Sequence, residues 1–479
     1  MKRTVFIIIL ALFLCLPASA QLMLSLQDAV SMAQGESFDA QRTTADFQKG
    51  SWDFNHHLSL FKPHLEFDIN PTYVREGYEY SKKNFIKPVD NDRLSTLAQL
   101  KLNQRVSALG GDFYATSTAL WSEFFKPYSG FDRLFGAQPI MVGYEQNLIG
   151  YNPYKWEKKI ESAKMDEVQK KKAYDMWDIA RKTAALYMNV LRAESLYNMY
   201  LNNASTSEVL YKIGQEKFNN TSIRNDELSS LKLQWMNANT SCSLAKVDMD
   251  NARSELVSYL GLEDGSALML SLPAQPSYLL LDHDRLYSIV KDNNPVYSGS
   301  NVKRLEARNK EEKARREKGV QASMDVSVGI QNYAQGFGQA YANPAFSSLS
   351  GVTVRIPIID QKTAVSKWNA AKYEAASVDA KTGEELRSLN LDVDCAIRDF
   401  ENYQTMLQSA QATMELADEA YIQANDNYAN GIADINTFAI AQSRKENAYS
   451  NYLDVLCCYW DAYYRLSMLC CTDIAVLAE

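Results

Sequence analysis

Between Leu386 and Tyr428 apolar or small residues recur at alternating steps of three and four: Leu386, Leu389, Val393, Ala396, Phe400, Tyr403, Leu407, Ala410, Met414, Ala417, Tyr421, Ala424 and Tyr428. An unbroken heptad seam of this length commits the stretch to a helix that packs along one face on another helix. The seam recurs 210 residues earlier, as Met176, Ile179, Thr183, Leu186, Val190, Ala193, Tyr197, Tyr200, Ala204, Ser207, Tyr211, Gly214 and Phe218. Because 210 is a multiple of seven, the heptad phase is the same in both copies. The chain is a duplicated coiled coil, so its fold has to place two long, matched helices.

A chain of 479 residues has room for two or three ordinary domains, and its 46% hydrophobic content is that of a folded protein. The net charge of -8 argues against a nucleic-acid partner. The first residues read as a secretory signal: Lys2 and Arg3, an apolar run from Val5 to Leu16, then Ala18-Ser19-Ala20 as an A-x-A cleavage site before Gln21. Cys15 follows Leu14, which is too large for the small-residue pattern of a lipidated cysteine. No later stretch reaches the roughly 18 uninterrupted apolar residues of a membrane-spanning helix. An exported chain of this kind is periplasmic, secreted, or a β-barrel of an outer membrane. The remaining cysteines, Cys242, Cys395, Cys457, Cys458, Cys470 and Cys471, lie in helical patterns and read as small buried hydrophobes.

The organisation follows from changes of period. Residues 1–20 read as a signal peptide and 21–62 as the N-terminal helices of the first repeat, opening with LSLQDAVSMA (Leu24 to Ala33). Residues 63–150 form a first β region, 151–270 a first long helical hairpin, and 271–320 a linker with the second repeat's N-terminal helices. Residues 321–360 form a second β region and 361–479 a second long helical hairpin. In the β regions Leu65, Phe67 and Ile69 alternate with Glu66, Asp68 and Asn70, and Met324, Val326, Val328 and Ile330 with Asp325, Ser327, Gly329 and Gln331. Period two with one oily and one polar face suits a strand between lipid and a watery lumen.

Return strands of the ten-residue class stand before each long helix, at Ile140 to Leu148 and Val352 to Ile358, with aromatic-rich loops at Tyr73, Tyr78 and Tyr80 and at Tyr333, Phe337 and Tyr341. The first β region is longer than the second and carries an additional hairpin, Ala98 to Val106 and Asp112 to Trp121, turning at Gly110-Gly111. Whether it joins the sheet or caps it is open from sequence.

The first long helix, near Asn152 to Phe218, is some 67 residues or roughly 100 Å. The return helices carry matched seams of their own, Ala238 to Tyr259 and Ala448 to Leu469. Catalytic chemistry has no residues to stand on. His56, His57, His64 and His283 are scattered, and Gly336-Phe337-Gly338 lacks the strand-to-helix setting of a phosphate loop. The expectation is a mainly α chain with membrane β, not an enzyme, with no cofactor and no metal.

Four to six strands cannot close a pore when outer-membrane barrels need about eight, so strands of several chains have to join. The LSLQDAVSMA opening, Asn293-Asn294-Pro295, YEQNLIGYNPYKW (Tyr144 to Trp156), VRIPIIDQ (Val354 to Gln361) and YANGIADINTF (Tyr428 to Phe438) make the chain similar to the TolC family of outer-membrane efflux channels over residues 21 to 479. The resemblance implies a homotrimer whose strands form one β-barrel in outer-membrane lipid and whose helical hairpins form a periplasmic α-barrel. It implies an exit duct for efflux or type I secretion, passive and coupled to an inner-membrane transporter by a periplasmic adaptor (a membrane fusion protein). The alternative from another class is a periplasmic coiled-coil scaffold or adaptor.

In the family the hairpin tips contact the adaptor and close the periplasmic entrance. They correspond here to Phe218, Asn219, Asn220, Thr221 and Ser222, and to Tyr428, Asn430, Gly431 and Ile432. Thr221 stands where a glycine is expected, and Ala433, Thr437 and Ile440 where family members carry a gating arginine and two constricting aspartates. Asp226, Glu227 and Asp434 lie nearby as a candidate gate, since three copies around an axis would focus negative potential. The other reading is that they are carboxylates stabilising the first turn of each return helix.

Overall fold

The computed structural model describes residues 22–79, 87–125, 132–220, 223–262, 268–273, 278–356, 358, 361–430, 432–433 and 435–477. The signal-peptide reading of residues 1–20 and the loop residue Tyr80 lie outside the described residues. The chain divides into two compact units. One comprises residues up to Phe47, Gln169–Tyr297 and Arg387 onward; the other comprises Gln48–Val168 and Ser298–Leu386.

In chain order the elements are β1 (Leu22–Leu24), α1 (Leu26–Glu36), α2 (Phe38–Ser59), β2 (His64–Glu79), β3 (Lys87–Val106), β4 (Gly111–Phe124) and β5 (Arg133–Ile149). The first hairpin follows as α3 (Pro153–Asn219) and α4 (Asn225–Leu260). Then come β6 (Leu268–Leu270), α5 (His283–Asn293), α6 (Pro295–Glu317), β7 (Gln321–Ala334), α7 (Phe337–Ala342) and β8 (Ala345–Arg355). The second hairpin is α8 (Gln361–Ala429) and α9 (Ile435–Cys470).

The first unit is helical and built on the duplicated seam. From Leu389 to Tyr428 the seam residues of α8 are all buried or half-buried, and those of α3 are so from Met176 to Gly214. Its core joins Tyr187, Val190, Leu256, Val393, Phe400, Tyr459 and Leu466 from four helices. Each repeat's opening helix starts on an acid-assisted cap: the Ser25 hydroxyl accepts from Asp28 N–H, and the Asp282 carboxylate from Arg285 N–H. The Asn294 side chain is fully buried, donating to the Leu469 carbonyl at 3.0 Å and accepting from Val296 N–H at 3.0 Å. Asn294 therefore turns the chain between α5 and α6 while closing the end of α9, with Pro295 at the first helical position where a missing N–H costs nothing.

The second unit carries one six-stranded antiparallel sheet of order β2-β3-β4-β5-β7-β8. The extra hairpin β3–β4 joins this sheet, so the return strand β5 is bonded to β4 and β7 rather than to β2. Its turn ends on Gly110 at φ 77°, a left-handed conformation that glycine adopts without steric cost. The strands run 11 to 20 residues, longer than the expected ten. Backbone ladders continue past the stretch in which side-chain alternation is legible. One expected aromatic loop holds a short helix, α7, whose Phe337 meets Phe135 of β5 edge to face at 6.1 Å.

Register places the two faces. Leu65, Leu102, Ala115, Val142, Val328 and Ser348 stand opposite one another across the six strands. The adjacent row is Glu66, Lys101, Thr116, Met141, Gly329 and Ser347. On the oily face Leu65, Phe67 and Ile69 are 60–63% exposed, and Leu100, Ile140, Val328, Val352 and Val354 are exposed as well. On the polar face Thr116 and Ser327 are buried, at 8% and 3%. The oily face is thus exposed on β2, β3, β5, β7 and β8, where a sheet in water would cover it.

Candidate functional site

The tips of the two hairpins come together within the helical unit. Leu210 of α3, Leu231 of α4 and Phe438 of α9 are buried in one cluster, with Tyr211, Ile223, Tyr421, Tyr428 and Ile435 packed around it. Phe438 is fully buried, its ring centroid 5.7 Å from those of both Tyr421 and Tyr428. Gly214 lets α3 and α4 approach, because a Cβ there would stand 2.5 Å from Leu231 Cδ1. Tyr211 and Trp235 stack at 5.5 Å across the same hairpin.

Beyond this cluster the expected contact residues face outward. Phe218, Asn219, Asn220, Asn430 and Ile432 are exposed, whereas Tyr428 is half-buried. Thr221, Ser222, Gly431 and Asp434 lie outside the described residues. The second tip is closed by the Asn427 carbonyl, which accepts from Ile432 N–H at 2.9 Å and Ala433 N–H at 3.2 Å. Such bonds satisfy carbonyls orphaned at a helix end.

The candidate gate acids sit in the first turn of α4. Arg224, the residue before the helix, brings its guanidinium 2.9 Å from Asp226 and 3.8 Å from Glu227. Both carboxylates are thus partly neutralised within their own chain. Burial raises the Tyr428 phenol above its ordinary value, and the charge of Glu227 adds to the rise.

A polar network above the tips was not marked by any sequence motif. Asn203 of α3 and Gln442 of α9 each donate to Glu446, at 2.7 and 3.0 Å, and Gln234 of α4 donates to Gln442 at 2.8 Å. These side chains line a cavity of about 330 Å³ that also touches Tyr200, Asn237 and Ser241. Burial holds the Glu446 carboxyl above the usual range, opposed by the Gln442 hydrogen bond. The available signal was that Gln442 and Glu446 follow Phe438 at steps of four, where a packed helix face calls for apolar residues.

Among the described residues no group of three or more His, Cys, Asp or Glu is placed to hold a metal ion. No helix among them is long and apolar enough to cross a membrane, a statement that does not bear on strands. The assembled features can carry contacts and set potential.

No family model and no curated relative matches the sequence. Solved structures do. The CmeC outer membrane channel of Campylobacter jejuni aligns at TM-score 0.66 and 12% identity, over 93% of this chain and 85% of that one. The outer membrane protein VceC of Vibrio cholerae aligns at 0.66 and 10%, over 93% and 96%. The open-state MtrE outer membrane channel of Neisseria gonorrhoeae aligns at 0.62 and 13%, over 94% and 89%. The chain has the fold of these channels, the TolC-like combination of long helical hairpins and a sheet that its sequence resembles.

Proposed function

We propose that this protein is an outer-membrane exit duct. Its sheet joins those of two further copies in one β-barrel, and its helical hairpins form a periplasmic α-barrel through which substrates leave passively. The carrying observation is the six-stranded sheet whose oily face is exposed on β2, β3, β5, β7 and β8. An oily face left in water is unfavourable by roughly 25 cal/mol per Å², whereas hydrocarbon accepts it. The unpaired outer edges of β2 and β8 would be prohibitive in lipid unless other strands continue the ladder. The low-identity structural likeness supports the same reading.

In this reading the tip residues Phe218 to Ser222 and Tyr428 to Ile432 meet a periplasmic adaptor that couples the duct to an inner-membrane transporter. Asp226, Glu227 and Asp434 line the entrance. The Arg224 pairing supports a role for Asp226 and Glu227 in starting α4, so the two roles are separated by selectivity measurements.

The test is fractionation followed by planar-bilayer recording. A heat-modifiable trimer in the outer membrane that conducts ions is expected. Release with the soluble periplasm, and no conductance, would overturn the duct in favour of a periplasmic coiled-coil scaffold or adaptor.

A further inference from the structure

The helix ends that adjoin the sheet carry a charge opposite to that of the chain. The segments 153–164 of α3, 308–318 at the end of α6, and 361–372 of α8 hold thirteen lysines and arginines against five carboxylates, in a chain of net charge -8. All three belong to the sheet-bearing unit. Each lies a few residues from a strand: β5 ends at Ile149 before Pro153, α6 ends at Glu317 before Gln321, and β8 ends at Arg355 before Gln361. The residues between are oily and exposed, among them Ile149, Val320 and Ile356.

Ion pairing within the chain accounts for part of this charge. Lys310 meets Glu374 at 2.8 Å, Lys367 meets Glu317 at 2.6 Å, and Arg315 and Arg316 both meet Glu312 at 2.7 Å. Lys155, Lys158, Lys159, Arg308, Lys313 and Lys362 are exposed and have no carboxylate partner among the described residues. Helix electrostatics do not account for those on α3 and α8 either. A cation at a helix N-terminus opposes the macrodipole, yet α3 and α8 start with lysines and with no acid in the first turn. The return helix α4, by contrast, starts with Asp226 and Glu227.

We infer that these cations form a collar that binds the anionic phospholipid headgroups of the leaflet facing the helices. The inference rests on the membrane reading of the sheet. Lys155 to Lys159 lie in the first two turns of α3, within roughly 10 Å of its start at 1.5 Å per residue. A headgroup layer extends about 6 Å beyond the hydrocarbon on each side, and a lysine side chain spans the remainder. Aromatic rings stand among the cations as they do at membrane interfaces: Lys159 lies 5.9 Å from the Trp156 ring and Lys313 6.0 Å from that of Tyr151. Basic groups this near a bilayer attract acidic headgroups with an energy that salt screens.

The test uses the full-length protein in nanodiscs of equal phosphatidylglycerol and phosphatidylcholine, with the lipid retained after detergent extraction counted by mass spectrometry. Wild type is expected to retain phosphatidylglycerol over phosphatidylcholine by about threefold or more, falling toward parity in high salt. The Lys155→Gln, Lys158→Gln, Lys159→Gln, Arg308→Gln, Lys362→Gln variant is expected to show no preference, and the corresponding lysine-to-arginine variant to keep it. Heat-modifiability of the oligomer reports that each variant is assembled. Insertion with equal retention of both lipids by wild type would overturn the collar and leave the duct standing. A protein that does not enter nanodiscs at all overturns the membrane reading itself, and the collar with it.

Discussion

Asn203 on α3 donates a 2.7 Å hydrogen bond to Glu446 on α9. Eleven residues earlier on α3, Arg192 meets Asp454 at 2.6 Å, and eleven before that Arg181 clasps Asp461 through bonds of 2.8 and 3.0 Å. Eleven residues are close to three helical turns, so the three links lie on one stripe of α3. Only the link nearest the tips lacks a cation. There a half-buried carboxylate is satisfied by amides, and its charge has no cation beside it.

That difference predicts a pH dependence. Burial raises the folded-state value of Glu446 above the unfolded one. A raised acid favours its protonated form in the fold, so the packing of α9 on α3 weakens as pH rises from the unfolded value to the raised one and is level above it. Glu446→Gln removes the charge, and its unfolding midpoint is expected to match wild type in acid and exceed it increasingly toward neutral pH. Parallel midpoints across that range would sink the claim.

Tyr187 is fully buried and its hydroxyl donates to the carbonyls of Leu24 at 2.9 Å and Ser271 at 2.6 Å. These carbonyls belong to the segments that pair as β1 and β6. Tyr187→Phe removes this donor, leaving the Leu24 carbonyl only the Ser271 N–H at 3.1 Å, and is expected to destabilise the helical unit by about 1–3 kcal/mol. Chemical denaturation measures the loss, and faster proteolysis near residues 268–273 locates it.

Phe438 is the ring around which both tips pack. Truncation to alanine removes a fully buried aromatic, at a cost of about 3–5 kcal/mol where the site cannot collapse. Phe438→Ala is expected to raise the protease sensitivity of both tips together, and Phe438→Leu to raise it less. Sensitivity confined to the second tip would show that the cluster does not join them.

Val328 and Ser347 stand on opposite faces of the same strand pair, β7 and β8. If the oily face meets lipid, Val328→Arg places a charge there, costing about 2–4 kcal/mol near the bilayer midplane. Ser347→Arg enters the polar face and is expected to assemble normally. The yield of heat-modifiable oligomer compares the two, and equal yields would contradict the assignment of faces.

Asp226 and Glu227 predict a modest effect in conductance. Arg224 holds both acids and stays cationic when they are removed, so Asp226→Ala with Glu227→Ala is expected to shift selectivity away from cations more than the same changes made together with Arg224→Gln. Reversal potentials in a salt gradient measure this, and a smaller shift in the double than in the triple variant would contradict it.

The helices were legible because a heptad seam is a local statement about one face, repeated twice in phase. Alternation of oily and polar residues gave the strands in the same way, and the glycine pair gave the hairpin turn. Sheet order was not legible. Nothing local in Ala98 to Trp121 says whether the hairpin lies beside β2 or over it, since pairing is decided by long-range backbone bonds. At the tips, YANGIADINTF marked the second turn, but the meeting of Leu210, Leu231 and Phe438 came only with packing. Glu446 was hidden for a related reason. A glutamate on a helix reads as solvated until a neighbouring helix covers it.

The sequence alone determined the duplication, the two long hairpins, the oily and polar strand faces and the basic helix ends, because each is a periodicity or a charge carried by neighbouring residues. Tertiary structure decided which strands adjoin and which carboxylates acquire partners. Arg224 neutralises Asp226 within one helical turn, whereas Glu446 waits on Asn203, 243 residues away. Interactions between residues so distant in sequence are fixed by the closing of the fold, which no local pattern encodes.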